Sequence, residues 1–232
     1  MKLAIMQPYF LPYIGYFQLI AAADKFVVYD NIEYTKKGWI NRNRYLQNGK
    51  DALFSIPLKK NSDFLDVRER FIAPDFNRGK LLNQIKEAYK KAPYYEQVMP
   101  VFEKVLFCSE TNLFRYILFS IQEICHQLAI ETELVISSEL AIDHSLKSQD
   151  KVIAICQNLC ADIYINAIGG QALYSGQEFR EKAIVLNFIK AKPIEYKQFS
   201  NEFVPWLSII DVMMFNPPEK VKEYLDQYEL IG

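Results

Sequence analysis

The sequence has few glycines, few cysteines, two histidines and no excess of charge of either sign. With eight Gly among 232 residues, the chain is neither fibrous nor rich in linkers. The net charge of -1 excludes a protein that binds nucleic acid through an overall positive charge. Because 50% of the residues are hydrophobic, wholesale disorder is excluded as well. The composition therefore predicts a folded chain with a sizeable core.

Cofactor and metal motifs are also missing from the sequence. No C-x-x-C pair, zinc-type Cys/His spacing, P-loop, G-x-G-x-x-G or G-x-S-x-G occurs, so the cofactor stays unknown. The four cysteines lie in apolar and mostly helical segments, where we expect reduced core thiols: Cys108, Cys125, Cys156 and Cys160.

No apolar run is long enough to cross a membrane. A span needs about 18 consecutive apolar residues, and the sequence has no such run. The N-terminal apolar run is interrupted by Gln7 and Pro8, which is not typical of a signal peptide. The sequence therefore predicts a cytoplasmic protein with no membrane span.

Short apolar runs alternate with segments of helical periodicity along the chain. This alternation predicts an α/β fold with a mostly parallel sheet flanked by helices, for which the nucleotidylyltransferase or Rossmann-like type is the candidate. Asn48-Gly49 predicts a hairpin within residues 45–58. We expect a single domain over residues 1–232, with a helical insertion at about 75–128 and helices near the C-terminus. The predicted strands are residues 2–6, 25–29, 67–72, 133–137, 162–168 and 183–189.

Ligands of parallel sheets bind at the carboxyl ends of strands, and this rule selects four loops. They are residues 7–16, 30–44, 137–143 and 166–174.

In the first loop, we expect four residues to orient the substrate, Gln7, Tyr13, Gly15 and Tyr16. The sequence Tyr13-Ile-Gly15-Tyr16 occupies the place of the H-x-G-H signature of nucleotidylyltransferase folds, with tyrosine at both histidine positions. An aromatic plug that closes the end of the sheet is the alternative.

The second loop combines cations, amides and a stacking ring within nine positions. Such a set suits a phosphate or carboxylate next to a flat or sugar ring. A solvated basic turn is the alternative, and no second basic patch extends the loop, so we expect no nucleic-acid partner. The predicted substrate-binding residues are Lys36, Lys37, Trp39, Asn41, Arg42 and Asn43, with Arg44 at the end of the loop.

Replacement of Arg42 by Ala is expected to weaken the binding of a phosphate ligand by about 1.5–3 kcal/mol. This is the contribution of a charge-assisted hydrogen bond. Calorimetry checks it, and an unchanged affinity would remove the basic loop from the binding site.

The remaining candidates follow the fourth core strand or carry carboxylates. Adjacent glycines allow either a backbone concavity that faces a ligand or a simple turn. The substrate-binding residues predicted there are Asn166, Gly169, Gly170 and Tyr174. The sequence surroundings of His126 and His144 are more typical of structural than of catalytic histidines. Asp30 and Asp211 are therefore the predicted general bases. Ser208 has the spacing of a helix N-cap within a mixed polar and apolar segment, residues 198–211.

Three segments of the sequence resemble the WbqC-like family of bacterial proteins. They are the opening MKLAIMQPYFLPYIGYFQLIAAADKFVVYDNIEYTKKGWINRNR and the later INAIGGQALY and LSIIDVMMFN. The resemblance implies a role in O-antigen or other surface polysaccharide biosynthesis, with transfer of glycine or another acyl group to an amino sugar. The partners it implies are a small-molecule substrate such as a nucleotide-linked amino sugar, and an acyl donor or acyl carrier. The family supplies no established catalytic residues.

Two other functions remain open on the sequence. A non-catalytic protein that binds a sugar nucleotide would need no activated nucleophile and no histidine in the Tyr13 to Tyr16 turn. A nucleotide-dependent ligase on a degenerate nucleotidylyltransferase-like fold would release pyrophosphate in the presence of magnesium. The acceptor sugar, the acyl donor and the oligomeric state are not determined by the sequence.

Overall fold

A six-stranded sheet organises the computed structural model, which describes residues 1–62, 64–199 and 202–232. The strands of the sheet lie in the order β5-β2-β1-β6-β7-β8, and all pairs are parallel except β7 with β8. The predicted α/β class with a mostly parallel sheet is confirmed. The strands are β1 Lys2–Met6, β2 Lys25–Val28, β3 Arg42–Gln47, β4 Lys50–Ser55, β5 Glu133–Ile136, β6 Ile163–Ala167, β7 Val185–Ala191 and β8 Tyr228–Ile231.

The order of the parallel strands creates a switch point beside β1. Counted along the chain, the five parallel strands lie in the order 3-2-1-4-5, which is the order of doubly wound Rossmann-like sheets. The chain adds β2 and β5 on one side of β1 and then continues with β6 and β7 on the other side. Connections that leave β1 and β6 therefore diverge, and a crevice opens between their carboxyl ends.

Helices cover both faces of the sheet. Successive residues of β1 alternate between two hydrophobic clusters, Leu3 and Ile5 in the smaller cluster and Ala4 in the larger. The fifth and sixth helices pack in the smaller cluster and the other helices in the larger. The helices are α1 Ile14–Ala21, α2 Arg78–Tyr89, α3 Tyr95–Leu106, α4 Leu113–Leu128, α5 Ser148–Asn158, α6 Gly176–Glu181, α7 Ile209–Phe215 and α8 Pro218–Leu225.

The predicted hairpin is present, and its turn has the expected backbone. Strands β3 and β4 pair in antiparallel register around Asn48 and Gly49, which both have positive φ, at 52° and 74°. A two-residue hairpin turn of the primed type requires this conformation at both positions. The hairpin forms a sheet of its own, separate from the six-stranded one.

Three local predictions were wrong. Residues 67–72 do not form a strand, because a capping box between Asp66 and Glu69 closes a short 3-10 helix there. The helical spacing of apolar residues over 75–92 predicts Asp75 as an N-cap, but α2 is capped by Asn77, whose side chain accepts from the Lys80 amide at 2.8 Å. Strand β8 was missed, since a four-residue strand at the end of the chain has little periodicity to detect.

The cysteines are free thiols, as expected, but not all of them are in the core. Cys125 and Cys156 are buried, and burial raises the pKa of each thiol to about 12. Cys160 is exposed, which corrects the prediction that all four are core residues. In the part of the chain that the structure describes, no helix is long and apolar enough to cross a membrane.

Candidate functional site

A cavity of about 750 Å³, called here the switch-point cavity, opens where β1 and β6 diverge. Gln7 follows β1, Asn31 follows β2, and Asn166 lies near the end of β6; all three line the cavity. The cavity therefore occupies the place where doubly wound sheets bind their ligands.

Two walls of the switch-point cavity contain charged residues that were not among the predicted site residues. One wall is the start of α5, with Lys147, Ser148 and Lys151. The other is formed by Glu33 and Asp66, whose backbones meet in an isolated antiparallel bridge. The cavity thus has lysines on one wall and carboxylates on another.

Lys151 is a buried cation in the cavity wall. The residue is only 4% exposed, and its ammonium lies 5.0 Å from the centroid of the Tyr29 ring. The ammonium forms no hydrogen bond or ion pair with any residue in the described ranges. Burial, and next the charge of Lys147, lower the pKa of Lys151 below its usual 10.5, while Asp66 and Asp30 oppose the change. Burial of a charge is costly unless it is paired, and no residue of the described part of the chain forms an ion pair with this ammonium.

Asn166 presents a hydrogen-bond donor to the cavity. The residue is 6% exposed, and its Oδ1 accepts from the amide of Ala167 at 2.8 Å. Its Nδ2 finds no hydrogen-bond partner among the described residues. A Cβ atom at Gly170 would lie 2.5 Å from that Nδ2, whereas one at Gly169 would meet nothing within 4 Å. Gly170, unlike Gly169, is therefore required for the position of the Asn166 amide.

Asn31 leaves an acceptor unused. Its Nδ2 donates to Nδ1 of His144 at 3.0 Å, and Nε2 of His144 donates to the Leu140 carbonyl at 3.0 Å. These two contacts let His144 position the Asn31 side chain. The Asn31 Oδ1 is buried without a hydrogen-bond partner. Buried polar atoms are normally satisfied, so an unused acceptor at a cavity indicates a place for a ligand or water.

The tyrosines in and near the cavity have packing and positioning roles. The Tyr16 hydroxyl donates to the Gln7 carbonyl at 2.9 Å and so orients the loop after β1. Burial raises the pKa of Tyr16 well above its usual 10.0, which keeps this donor protonated. Tyr164 lines the cavity, stacks on Phe179 at 5.6 Å and contacts the Tyr174 ring edge-on at 5.8 Å.

The basic loop does not line the switch-point cavity. Lys36 and Asn41 line a second cavity of about 340 Å³, which also has Lys59, Lys60 and Arg70 in its wall.

The Trp39 side chain is half-exposed on the same loop. The guanidinium groups of Arg42 and Arg44 lie 5.6 and 5.4 Å from the Trp39 ring centroid. Arg42 also donates to the carbonyls of Gly38 and Lys37, which already occupies part of its hydrogen-bonding capacity.

The two asparagines of the basic loop hold the backbone together. Asn43 donates through Nδ2 to the carbonyls of Phe10 and Leu11, at 3.3 and 2.9 Å. Asn41 accepts from the Tyr34 hydroxyl at 2.8 Å and donates to the Ile56 carbonyl at 2.7 Å. Each of these contacts is internal to the protein.

Tyr13 and Gly15 form a tight turn outside the cavity. A Cβ atom at Gly15 would lie 2.3 Å from the Tyr13 ring, so the glycine is what lets that ring fold back. The Tyr13 ring meets Trp206 edge-on at 5.7 Å. In this respect the turn resembles the aromatic plug, which was the alternative interpretation of the first loop.

Neither of the two predicted general bases is among the residues that line the switch-point cavity. Asp30 lines a third cavity of about 310 Å³, and its carboxylate accepts from the amide and the hydroxyl of Ser138 at 2.9 and 2.6 Å. Asp211 is fully buried and accepts from Tyr89, Tyr196 and Gln198 at 2.6–2.8 Å. Burial raises the pKa of Asp211 above its usual 3.8, although these three donors oppose it.

The structure brings together five of the predicted site residues and separates the others. Those that line the switch-point cavity are Gln7, Asn166, Gly169, Gly170 and Tyr174. Ser200 and Asn201, in the segment before α7, lie outside the described residues. None of the three cavities described above is lined by Tyr13, Gly15, Tyr16, Lys37, Trp39, Arg42, Asn43 or Asp211.

Sequence reasoning missed Glu33, Asp66, Lys147 and Lys151. For the lysines a signal existed, because cations at the start of a helix oppose its dipole and are unfavourable there. Two lysines flank the first turn of α5, where carboxylates are the favoured residues. Glu33 lies in the loop of residues 30–44 that the strand-end rule selected, whereas for Asp66 no comparable signal exists in the sequence.

Comparisons with known proteins agree with the family resemblance found in the sequence. No three side chains of His, Cys, Asp or Glu within the described ranges are grouped as metal ligands. An uncharacterized protein of Mycobacterium tuberculosis (strain H37Rv), Rv1507c, is 26% identical over 228 residues, which is 97% of each chain. No solved structure matches the chain. The sequence model of the WbqC-like protein family matches residues 7–223, and the chain therefore belongs to that family.

Proposed function

We propose that this protein transfers glycine or another acyl group to an amino sugar in the biosynthesis of a bacterial surface polysaccharide. The observation that supports this proposal is the presence of both charge signs in the lining of the switch-point cavity, where Lys151 belongs to α5 and Glu33 and Asp66 belong to one bridge. A nucleotide-linked amino sugar has the matching charges, a diphosphate and an ammonium group. Volumes of 300–1,000 Å³ are typical of small-molecule sites, and this cavity of about 750 Å³ is within that range.

The reaction requires one group that accepts a proton from the sugar ammonium and one hydrogen-bonding group that anchors the substrate. The sugar ammonium loses a proton to a carboxylate, and the free amine then attacks the carbonyl carbon of an acyl thioester. The new C–N bond replaces the C–S bond, and the thiolate leaves and takes up a proton. We assign the acceptor role to Glu33, because Asp66 caps the 3-10 helix with its carboxylate and lies 3.5 Å from Nε of Arg68.

A binding protein without turnover is the second candidate. It is favoured by the cavity lining, which in the described part of the chain includes neither His nor Cys as an activated nucleophile or base. Such a protein would hold a sugar nucleotide for another enzyme of the same biosynthesis.

A thermal-shift screen followed by a turnover assay tests the proposal. A ligand at about 100 times its Kd adds roughly 2.7 kcal/mol, so the Tm should rise by several degrees with an amino-sugar nucleotide. Thiol release from a glycyl thioester should then require the same amino sugar. A thermal shift without thiol release would favour the binding protein, and magnesium-dependent release of pyrophosphate would favour the ligase. If none of these ligands raises the Tm, the assignment of the cavity as the substrate site is contradicted.

The glycine pair after β6 provides a matched test of the cavity. Gly170→Ala places a methyl group against the Asn166 amide, so affinity for the amino-sugar nucleotide should fall about three- to tenfold, the loss of one hydrogen bond. Gly169→Ala is the control, since its Cβ would meet nothing, and its affinity should be unchanged. Calorimetry measures both variants. Equal affinities in the two variants would exclude Asn166 from binding.

A further inference from the structure

The start of α5 combines three features of an anion site. The helix has eleven residues, and its first backbone N–H groups carry a partial positive charge. Lys147 and Lys151 add two full charges on the same side of the cavity. Lys151 and Asn166 are both more than nine-tenths buried, and each has a donor without a hydrogen-bond partner among the described residues.

The burial of Lys151 is hard to explain without a ligand. A lysine that served only to pack would place its ammonium in water, as long cationic side chains normally do. Here the ammonium lies over the Tyr29 ring at the cavity wall, and no carboxylate of the described residues is close enough to form an ion pair with it. A bound anion would supply the missing counterion and turn this costly arrangement into a favourable one.

We infer that Lys151, with the Asn166 amide and the first turn of α5, binds the phosphate or diphosphate of the substrate while Glu33 faces its amine. This inference rests on the proposed function and adds the orientation of the substrate. A phosphorylated amino sugar then lies with its anion towards α5 and its ammonium towards Glu33. The cavity discriminates amino sugars from neutral sugars at the Glu33 wall and phosphorylated from free sugars at the Lys151 wall.

The test uses glucosamine 1-phosphate, glucose 1-phosphate and inorganic pyrophosphate as probes in calorimetry. The unmodified protein should bind glucosamine 1-phosphate at least fivefold more tightly than glucose 1-phosphate. Lys151→Met should weaken all three probes at least tenfold, because each contains the anion. Glu33→Gln should abolish the preference for the amine and leave pyrophosphate binding unchanged. Glu131→Gln, an exposed carboxylate in the loop before β5, is the control and should change neither quantity.

Thermal denaturation separates a lost anchor from a damaged fold. Lys151→Met removes an unpaired buried charge, so its Tm without ligand should rise while its affinity falls. Lys147→Met, at an exposed position, should leave the Tm unchanged and weaken the probes less.

Two outcomes would overturn the inference in different ways. If Lys151→Met binds all three probes as tightly as the unmodified protein while Gly170→Ala loses the amino-sugar nucleotide, the cavity is the substrate site but Lys151 is not its anchor. If the unmodified protein binds none of the probes at millimolar concentration and no amino-sugar nucleotide shifts its Tm, the inference and the proposed function both fail.

Discussion

Replacement of Asp211 by Ala is expected to lower the free energy of unfolding by about 3–5 kcal/mol, the effect of breaking a buried charged network. The Asp211 carboxylate accepts from two tyrosine hydroxyls and one glutamine amide, and all of these donors would lose their acceptor. The network joins α7 to α2 through Tyr89 and to the segment before α7 through Tyr196 and Gln198.

Urea denaturation followed by circular dichroism measures this loss. Asp75→Ala is the matched control, since Asp75 is exposed, and its change should stay within about 0.5 kcal/mol. A small loss for Asp211→Ala, combined with a large loss of turnover, would instead support the role of Asp211 as a general base.

The Asp211→Asn variant should show how the buried charge depends on pH. Burial raises the pKa of Asp211 in the folded protein above 3.8, so the folded state holds this proton more tightly than the unfolded state. The native protein therefore loses stability from this group as the pH rises from about 4 through the raised pKa. Asn does not titrate, so the deficit of the variant relative to the native protein should be larger at pH 4 than at pH 8. An equal deficit at both pH values would contradict the raised pKa.

Replacement of Asn43 by Ala is expected to destabilise the fold by about 2–3 kcal/mol, because buried carbonyl groups lose their donor. The Asn43 amide donates to the carbonyls of Phe10 and Leu11, and the Ser208 hydroxyl donates to the same Leu11 carbonyl at 2.7 Å. These bonds hold Leu11 in the left-handed region, at a φ of 44°, which is unfavourable for a residue with a side chain.

Chemical denaturation checks the Asn43 prediction, and Asn83→Ala provides an exposed asparagine as control. The control should change the free energy of unfolding by no more than about 0.5 kcal/mol. If Asn43→Ala were as stable as the native protein but bound the amino-sugar nucleotide more weakly, then the sequence-based assignment of Asn43 to substrate binding would be right.

The sheet could be predicted because its strands are defined by local patterns. Runs of buried apolar residues end at polar or glycine residues, and the carboxyl ends of parallel strands meet at one edge. That rule predicts Gln7, Asn166 and Gly170 at the same edge of the sheet, and all three line the switch-point cavity.

The basic loop shows where such reasoning stops. Its cations, amides and tryptophan are the residue types of a phosphate site, but residue type does not decide which way a side chain faces. Asn43 faces the backbone of the preceding loop, and Arg42 donates to carbonyls of its own loop. A loop whose side chains bind a ligand at the surface and a loop whose side chains bond to the protein backbone can have the same composition.

The sequence by itself determined the α/β class, the hairpin at Asn48-Gly49 and family membership, since these depend on local periodicity, turn residues and extended motifs. Tertiary structure alone decided that Lys151, Glu33 and Asp66 line one cavity, and that Asp211 accepts from two tyrosines and a glutamine. The physical reason is the range of the interactions. Turn and strand preferences act between neighbouring residues, whereas a buried charge acquires its surroundings from segments that are distant in the chain and meet only when the sheet has assembled.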